Sequence, residues 1–150
     1  MIDINIVGRC PQKTKMERFA QDVIHSFFTS RFSRDVHIDI NVCRVEEGYL
    51  GFCSGDRDSV EIEVSRRDIL GEMLSPKDIA HIIAHELVHA KQFIKGQIDG
   101  TERYRRGPHS KWVDHSETSY REQPWEVEAY DLEDKLLETY WVSDTTSRSS

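Results

Sequence analysis

The chain has 150 residues, 27 of them acidic and 20 basic, for a formal net charge of −7. That length suits one domain with a real core. The acidic balance disfavours a duplex nucleic-acid binder, which normally needs a basic surface, and no apolar run approaches the roughly 20 residues that span a bilayer.

Ile2, Ile4 and Ile6 alternate with polar residues, which predicts a short strand ending at Gly8. The opening Met1-Ile2-Asp3-Ile4 has neither the charged nor the apolar region of a signal peptide, so secretion by that route is not expected. Thr14-Lys15-Met16-Glu17 has the form of a capping box. Behind it Met16, Phe19, Ala20, Val23, Ile24, Phe27 and Phe28 recur at three- and four-residue steps, the apolar face of a helix over about 15–31. Val36, Ile38, Ile40 and Val42 then alternate with polar neighbours as a half-buried strand. A turn at Glu47-Gly48, a short strand through Leu50 and Phe52, and a turn at Ser54-Gly55-Asp56 follow. Val60, Ile62 and Val64 make a third strand, and the three are expected to form a meander.

Ser75-Pro76-Lys77-Asp78 is a helix start: a Ser N-cap, Pro at the first position and an acid at the third. That helix should run to about Ile94, with Gly96 ending it. Residues 97–122 are polar, punctuated by Gly100, Gly107 and Pro108, and read as an excursion over the surface. A last helix begins near Pro124, with Trp125, Ala129, Leu132, Leu136 and Tyr140 at helical spacing. The fold class is therefore α+β: an N-terminal helix, a small, mostly antiparallel sheet, a long central helix and a C-terminal helix, in a single domain over 1–142. Residues 143–150 lack the means to pack a core and are expected to be a disordered tail. Cys10, Cys43 and Cys53 give an odd count with no C-x-x-C pair, which reads as reduced, core-filling thiols.

The central helix carries His85-Glu86-Leu87-Val88-His89, an H-E-x-x-H pattern. Residues i and i+4 share a helical face, so the two imidazoles can grip one zinc ion while Glu86 serves as general base. Ile82, Ile83, Leu87 and Val88 make this helix largely buried, where two histidines and an acid are costly unless paired or bound to metal. His81 lies one turn earlier on the same face and reads as a hydrogen-bonded supporting residue rather than a ligand.

A catalytic zinc takes three protein ligands and keeps one position open. Six residues after His89 stands Lys95, where a metzincin has its third histidine, and Gln92 replaces that class's glycine, so the metzincin pattern is excluded. His109, His115, Glu126 and Glu128 remain. Glu126 is preferred because it sits in the first turn of the last helix, beside Trp125 and Ala129 on its buried face. Glu128 projects about 160° away from it at roughly 100° per residue. His109 and His115 stay as alternative third ligands.

H-E-x-x-H followed by E-x-x-A on a later helix resembles the gluzincin metallopeptidases. Within them, the blocks His85–Gln92 and Gln123–Tyr130 are similar to small phage-type and SprT-like metallopeptidases. The resemblance implies a minimal zincin-like domain, one catalytic zinc held by His85, His89 and Glu126, Glu86 as base, and a peptide or protein substrate. The reduced thiols and the lack of signal-peptide features are those expected of a cytoplasmic protein, in the host cytoplasm if phage-encoded. Many gluzincins carry an acid or amide four residues after the ligand Glu; this chain has Tyr130 there. His109-Ser110-Lys111-Trp112 approaches the loop pattern of SprT-like proteins with a histidine third ligand, one residue short.

The expected reaction is peptide-bond hydrolysis, with Tyr120, then His115 and His109, as candidates to stabilise the oxyanion. In zincins a strand in this region offers its edge to an extended substrate; here that strand is Val60–Ser65 with Glu61 and Glu63 outward, and a solvated strand face is the preferred reading of them. Arg103, Arg105, Arg106, His109 and Lys111, interleaved with Tyr104 and Trp112, form a basic-aromatic cluster. A solvated loop is the preferred reading of it over nucleic-acid contact. The alternative function is a zinc-stabilised, DNA-associated SprT-like binding module with little turnover.

Overall fold

A computed structural model of the chain describes residues 1–43, 45 and 49–142. The expected turn at Glu47-Gly48 and the expected tail at 143–150 lie outside them. Elements follow in the order β1 (Ile2–Gly8), α1 (Lys13–Ser26), β2 (Val36–Cys43), β3 (Gly51–Gly55), β4 (Ser59–Ser65), α2 (Pro76–Ile94), β5 (Arg103–Tyr104), β6 (Val113–Asp114), a 3-10 turn (Tyr120–Glu122) and α3 (Pro124–Tyr140). The class is α+β, three helices on a small mixed sheet.

The four-stranded sheet has the order β1-β2-β4-β3. β1 pairs with β2 and β2 with β4 in parallel, and only β3–β4 is antiparallel. The expected meander is thus wrong, as is the mostly antiparallel sheet. Alternating strands usually mark antiparallel sheets, since parallel ones are commonly covered on both faces. Here the parallel pairs keep one bare face: Asp3 lies beside His37, and Asp39 beside Glu61, while Ile4, Ile38 and Val60 share one level on the other side. Strand length settles the order. β4 matches β2 over seven residue pairs, whereas β3 has five residues, with glycine at both ends. The longer apolar strand takes the interior and the short one the edge, where short strands are tolerated. β4 therefore has no edge to offer a substrate; the outer edge on that side belongs to β3.

α1 begins at Lys13, two residues before the expected start at about 15. Gln12, in the left-handed region at φ 50°, precedes it without a side-chain cap, so Thr14 is already helical. It also ends at Ser26, and Phe27 and Phe28 pack from the following turn. Met16, Phe19, Ala20, Val23 and Ile24 are buried, as the periodicity requires.

α2 matches its start signals closely. The Ser75 side chain accepts from Asp78 N, and the Asp78 side chain accepts from Ser75 N, a complete capping box with Pro76 just inside. At the other end Gly96, at φ 71°, donates to Phe93 O, and Gln97 N donates to Gln92 O, a Schellman-type closure that a side chain at 96 would strain. α2 packs against β3, β4, α1 and α3. Its sheet side adds Ile79, Ile83, Leu87 and Ile94 to a core floored by Ile38, Ile40, Ile62 and Val64. Cys10 and Cys53 pack against this core, and all three cysteines are free thiols. No helix among the described residues is long and apolar enough to cross a membrane.

Candidate metal centre

α3 runs antiparallel to α2, since the contacts His81–Asp134, His85–Glu133, His89–Glu126 and Gln92–Trp125 descend one helix as they climb the other. Pro124 opens α3, and two residues later Glu126, 6% exposed, meets the histidine face of α2. Glu126 Oε1 lies 3.1 Å from His85 Nε2 and 3.1 Å from His89 Nε2. These three side chains offer ligand atoms that all lie within 4.8 Å of one another.

The other ring nitrogens are also engaged. His85 Nδ1 is 3.0 Å from Glu133 Oε2, and His89 Nδ1 is 2.8 Å from Gln92 Oε1. The Gln92 amide has one sensible orientation, because its Nε2 donates to Trp125 O at 2.9 Å and to Glu128 Oε1 at 2.9 Å. Its oxygen must then accept from His89. Glu128 is itself fixed by Lys91 Nζ, 2.6 Å from each carboxylate oxygen. Both histidines are therefore donors at Nδ1, and a neutral ring then presents a lone pair at Nε2.

Two lone pairs facing one carboxylate oxygen repel unless a cation joins them. The donor set fits zinc: two imidazole nitrogens and a carboxylate, spaced at 3.1 Å where tetrahedral ligands about 2.0–2.1 Å from the ion would be about 3.3 Å apart. The metal-free alternative is a second proton on each ring. Burial opposes charge on His85 and His89, yet the hydrogen bonds to Glu126 outweigh it and raise both pKa values. Burial likewise works against charge on Glu126, but the two histidines hold its carboxyl down at about 2. The site is built to place positive charge between these groups.

Glu86 points elsewhere. It is 7% exposed and lines a cavity of about 490 Å³ together with His89, Glu126, Phe93, Tyr120 and Trp125. Burial raises its pKa, against the pull of His89 and His85, which moves a carboxylate toward the range of a useful base. Gly51 on β3 makes room for it: a Cβ there would stand 3.0 Å from Glu86 Oε1 and 2.7 Å from Ile82 Cγ2.

Tyr120 reaches the cavity from the turn before α3. Burial and then the Glu126 charge push its pKa well up, so it remains a protonated donor. His115 does not line the cavity. Its Nδ1 is 3.1 Å from Thr118 Oγ1, and its ring stands edge-on to Trp125 at 6.0 Å. His109 is exposed and belongs to neither group of metal-capable side chains among the described residues. His81 Nε2 lies 2.9 Å from Asp134 Oδ1. Tyr130, where many gluzincins have an acid or amide, sets its ring 4.9 Å from that of His85. The polar support at Nδ1 comes from Glu133, one turn later. Arg103 and Arg105 of the loop stack on Trp112 at 4.2 and 4.0 Å.

Sequence reasoning missed Glu133 altogether, and the supporting roles of Gln92 and Glu128. A signal existed: Glu126 and Glu133 are seven residues apart, two turns on one face, opposite histidines four apart on the antiparallel partner.

No protein-family model matches the chain, and no curated protein matches it. Among solved structures, a mutant of Wss1 from Saccharomyces cerevisiae is similar at 16% identity, with 97% of this chain and 94% of that chain covered and a TM-score of 0.39. At that score nothing about the site is taken from it.

Proposed function

We propose that this chain is a zinc-dependent metallopeptidase in which His85, His89 and Glu126 hold one zinc ion and Glu86 is the general base. The observation that carries the proposal is the convergence of two tautomer-fixed Nε2 atoms on Glu126 at the wall of a cavity that also contains a buried carboxylate. A metal held only for structure has no use for that carboxylate. Zinc, when bound, supplies a Lewis acid that lowers the pKa of water and polarises a carbonyl.

The chain's own groups divide the remaining work. Glu86 takes the proton of the attacking water and passes it to the leaving amine. The Tyr120 hydroxyl donates to the carbonyl oxygen as negative charge grows on it. β3 aligns the substrate. Ser65 N donates to Leu50 O and Asp56 N to Ser59 O, so even-numbered residues bond to β4. The N–H and C=O groups of Gly51 and Cys53 then face outward, available to an extended peptide laid beside the cavity. The three carboxylates at or near the cavity, Glu86, Glu102 and Glu126, disfavour acidic side chains next to the cut bond.

The test is cleavage of an unfolded protein such as casein by zinc-loaded wild type and Glu86→Gln. Wild type should cleave, chelation should stop it, and Glu86→Gln should retain zinc while losing about 100-fold or more in rate. Cleavage that survives Glu86→Gln overturns the assignment.

A further inference from the structure

One helical turn toward the start of α2, a second set of ligand atoms converges. His81 Nε2, Glu133 Oε2 and Asp134 Oδ1 all lie within 4.8 Å of one another. Nε2 is 2.9 Å from the Asp134 oxygen and 3.7 Å from the Glu133 oxygen. These spacings straddle the separation of about 3.3 Å between tetrahedral donors to zinc. An imidazole from one helix with two carboxylates from another is a mixed nitrogen-oxygen set suited to zinc and its first-row neighbours. Both carboxylates need positive charge. Among the described residues their ion-pair partners are His81 and His85, with no lysine or arginine. Once His85 is neutral and bound to metal, Glu133 and Asp134 keep only imidazoles to face.

We propose that His81, Glu133 and Asp134 form a second, weaker divalent-cation site, and that an ion there competes with His85 for Glu133. The competition rests on the reading of His85 as a zinc ligand; the site itself does not. Glu133 Oε2 is the same atom that accepts from His85 Nδ1 at 3.0 Å. An ion that draws on this oxygen loosens the grip on the ring whose other nitrogen faces Glu126, and metal-ligand support of this kind matters 10–100-fold, to order of magnitude. Exposure makes the second site weaker: the Asp134 side chain is 80% exposed and His81 39%, against 12% for His85 and 10% for His89.

The experiment is calorimetric zinc titration of the metal-free full chain as wild type, His81→Asn, Asp134→Asn and Glu126→Ala, with melting temperature as the check on folding. Wild type should bind one zinc tightly and a second at least ten times more weakly. His81→Asn and Asp134→Asn should lose the weak event and keep the tight one. Glu126→Ala should do the reverse. A single tight event in wild type, or a weak event untouched by both His81→Asn and Asp134→Asn, overturns the second site and leaves the first standing. A weak event without a tight one supports the second site and removes the reading of the first. Should His81→Asn fail to fold, Asp134→Asn, at an open position, carries the same test. Excess zinc should also slow peptide cleavage severalfold in wild type and not in Asp134→Asn; equal slowing in both overturns the competition.

Discussion

Gln92→Leu is the most direct probe of how the metal centre is oriented. Gln92 is fully buried and makes three hydrogen bonds, accepting from His89 Nδ1 and donating to Trp125 O and Glu128 Oε1. Leucine fills similar space and makes none of them. The His89 N–H and the Trp125 carbonyl lose their partners in a buried setting, at about 1–3 kcal/mol each. Glu128 retains Lys91 and a third of its exposure, so its loss is small. The metal-free fold should therefore weaken by about 2–6 kcal/mol. Freed of its tether, the His89 ring can also turn or change tautomer, and zinc affinity should fall about 10–100-fold. By linkage, the stabilisation that saturating zinc confers shrinks by a further ~1.4–2.7 kcal/mol. Urea denaturation with and without zinc, beside competition for zinc with a chromophoric chelator, separates the two losses. Gln92→Leu binding zinc as tightly as wild type would refute the tautomer argument, whatever its stability.

Gly51→Ala should crowd Ile82 Cγ2 at 2.7 Å and Glu86 Oε1 at 3.0 Å, destabilising by about 1–3 kcal/mol and lowering kcat more than zinc content; unchanged turnover refutes the packing of β3 against the base. In the metal-free protein the raised pKa values of His85 and His89 contribute stability that is complete below about pH 6.5 and is lost as pH rises through the raised values. Melting temperature in chelator should thus decline from pH 6 toward pH 8, a trend that zinc-loaded protein should not share. Asp99 is held at about 2 because the hydrogen bonds from Arg103 and Thr101 prevail over burial, which acts the other way. Its contribution is present above about pH 4 and fades as acid approaches its folded value; Asp99→Asn should flatten the acid-denaturation profile of wild type in that window.

The signals that read correctly were local ones. Ser75, Pro76 and Asp78 fixed the start of α2, and the spacing of His85 and His89 placed two imidazoles on one face because helical geometry leaves no choice. Pro124 likewise put Glu126 into a first turn. What failed depended on distant partners. Ile38 and Ile40 alternate with polar residues in either a parallel or an antiparallel one-sided sheet, so periodicity could not order the strands. Thr14 satisfied the capping pattern while Gln12, from an unusual backbone conformation, opened the helix. Glu133 and Gln92 carry no motif; their roles emerge only once α2 and α3 lie side by side.

α3 has three buried side chains, Glu126, Ala129 and Leu136, and one of them is a carboxylate. Trp125, Leu132, Leu137 and Tyr140 add only partly buried contacts, which makes the C-terminal rod the first candidate for detachment. A zinc ion held as proposed would act as a clasp at its leading end, beside the Lys91–Glu128 pair, a second fastening two residues on. On that reading chelation should unlatch α3 before it disturbs the sheet, and hydrogen exchange should begin there.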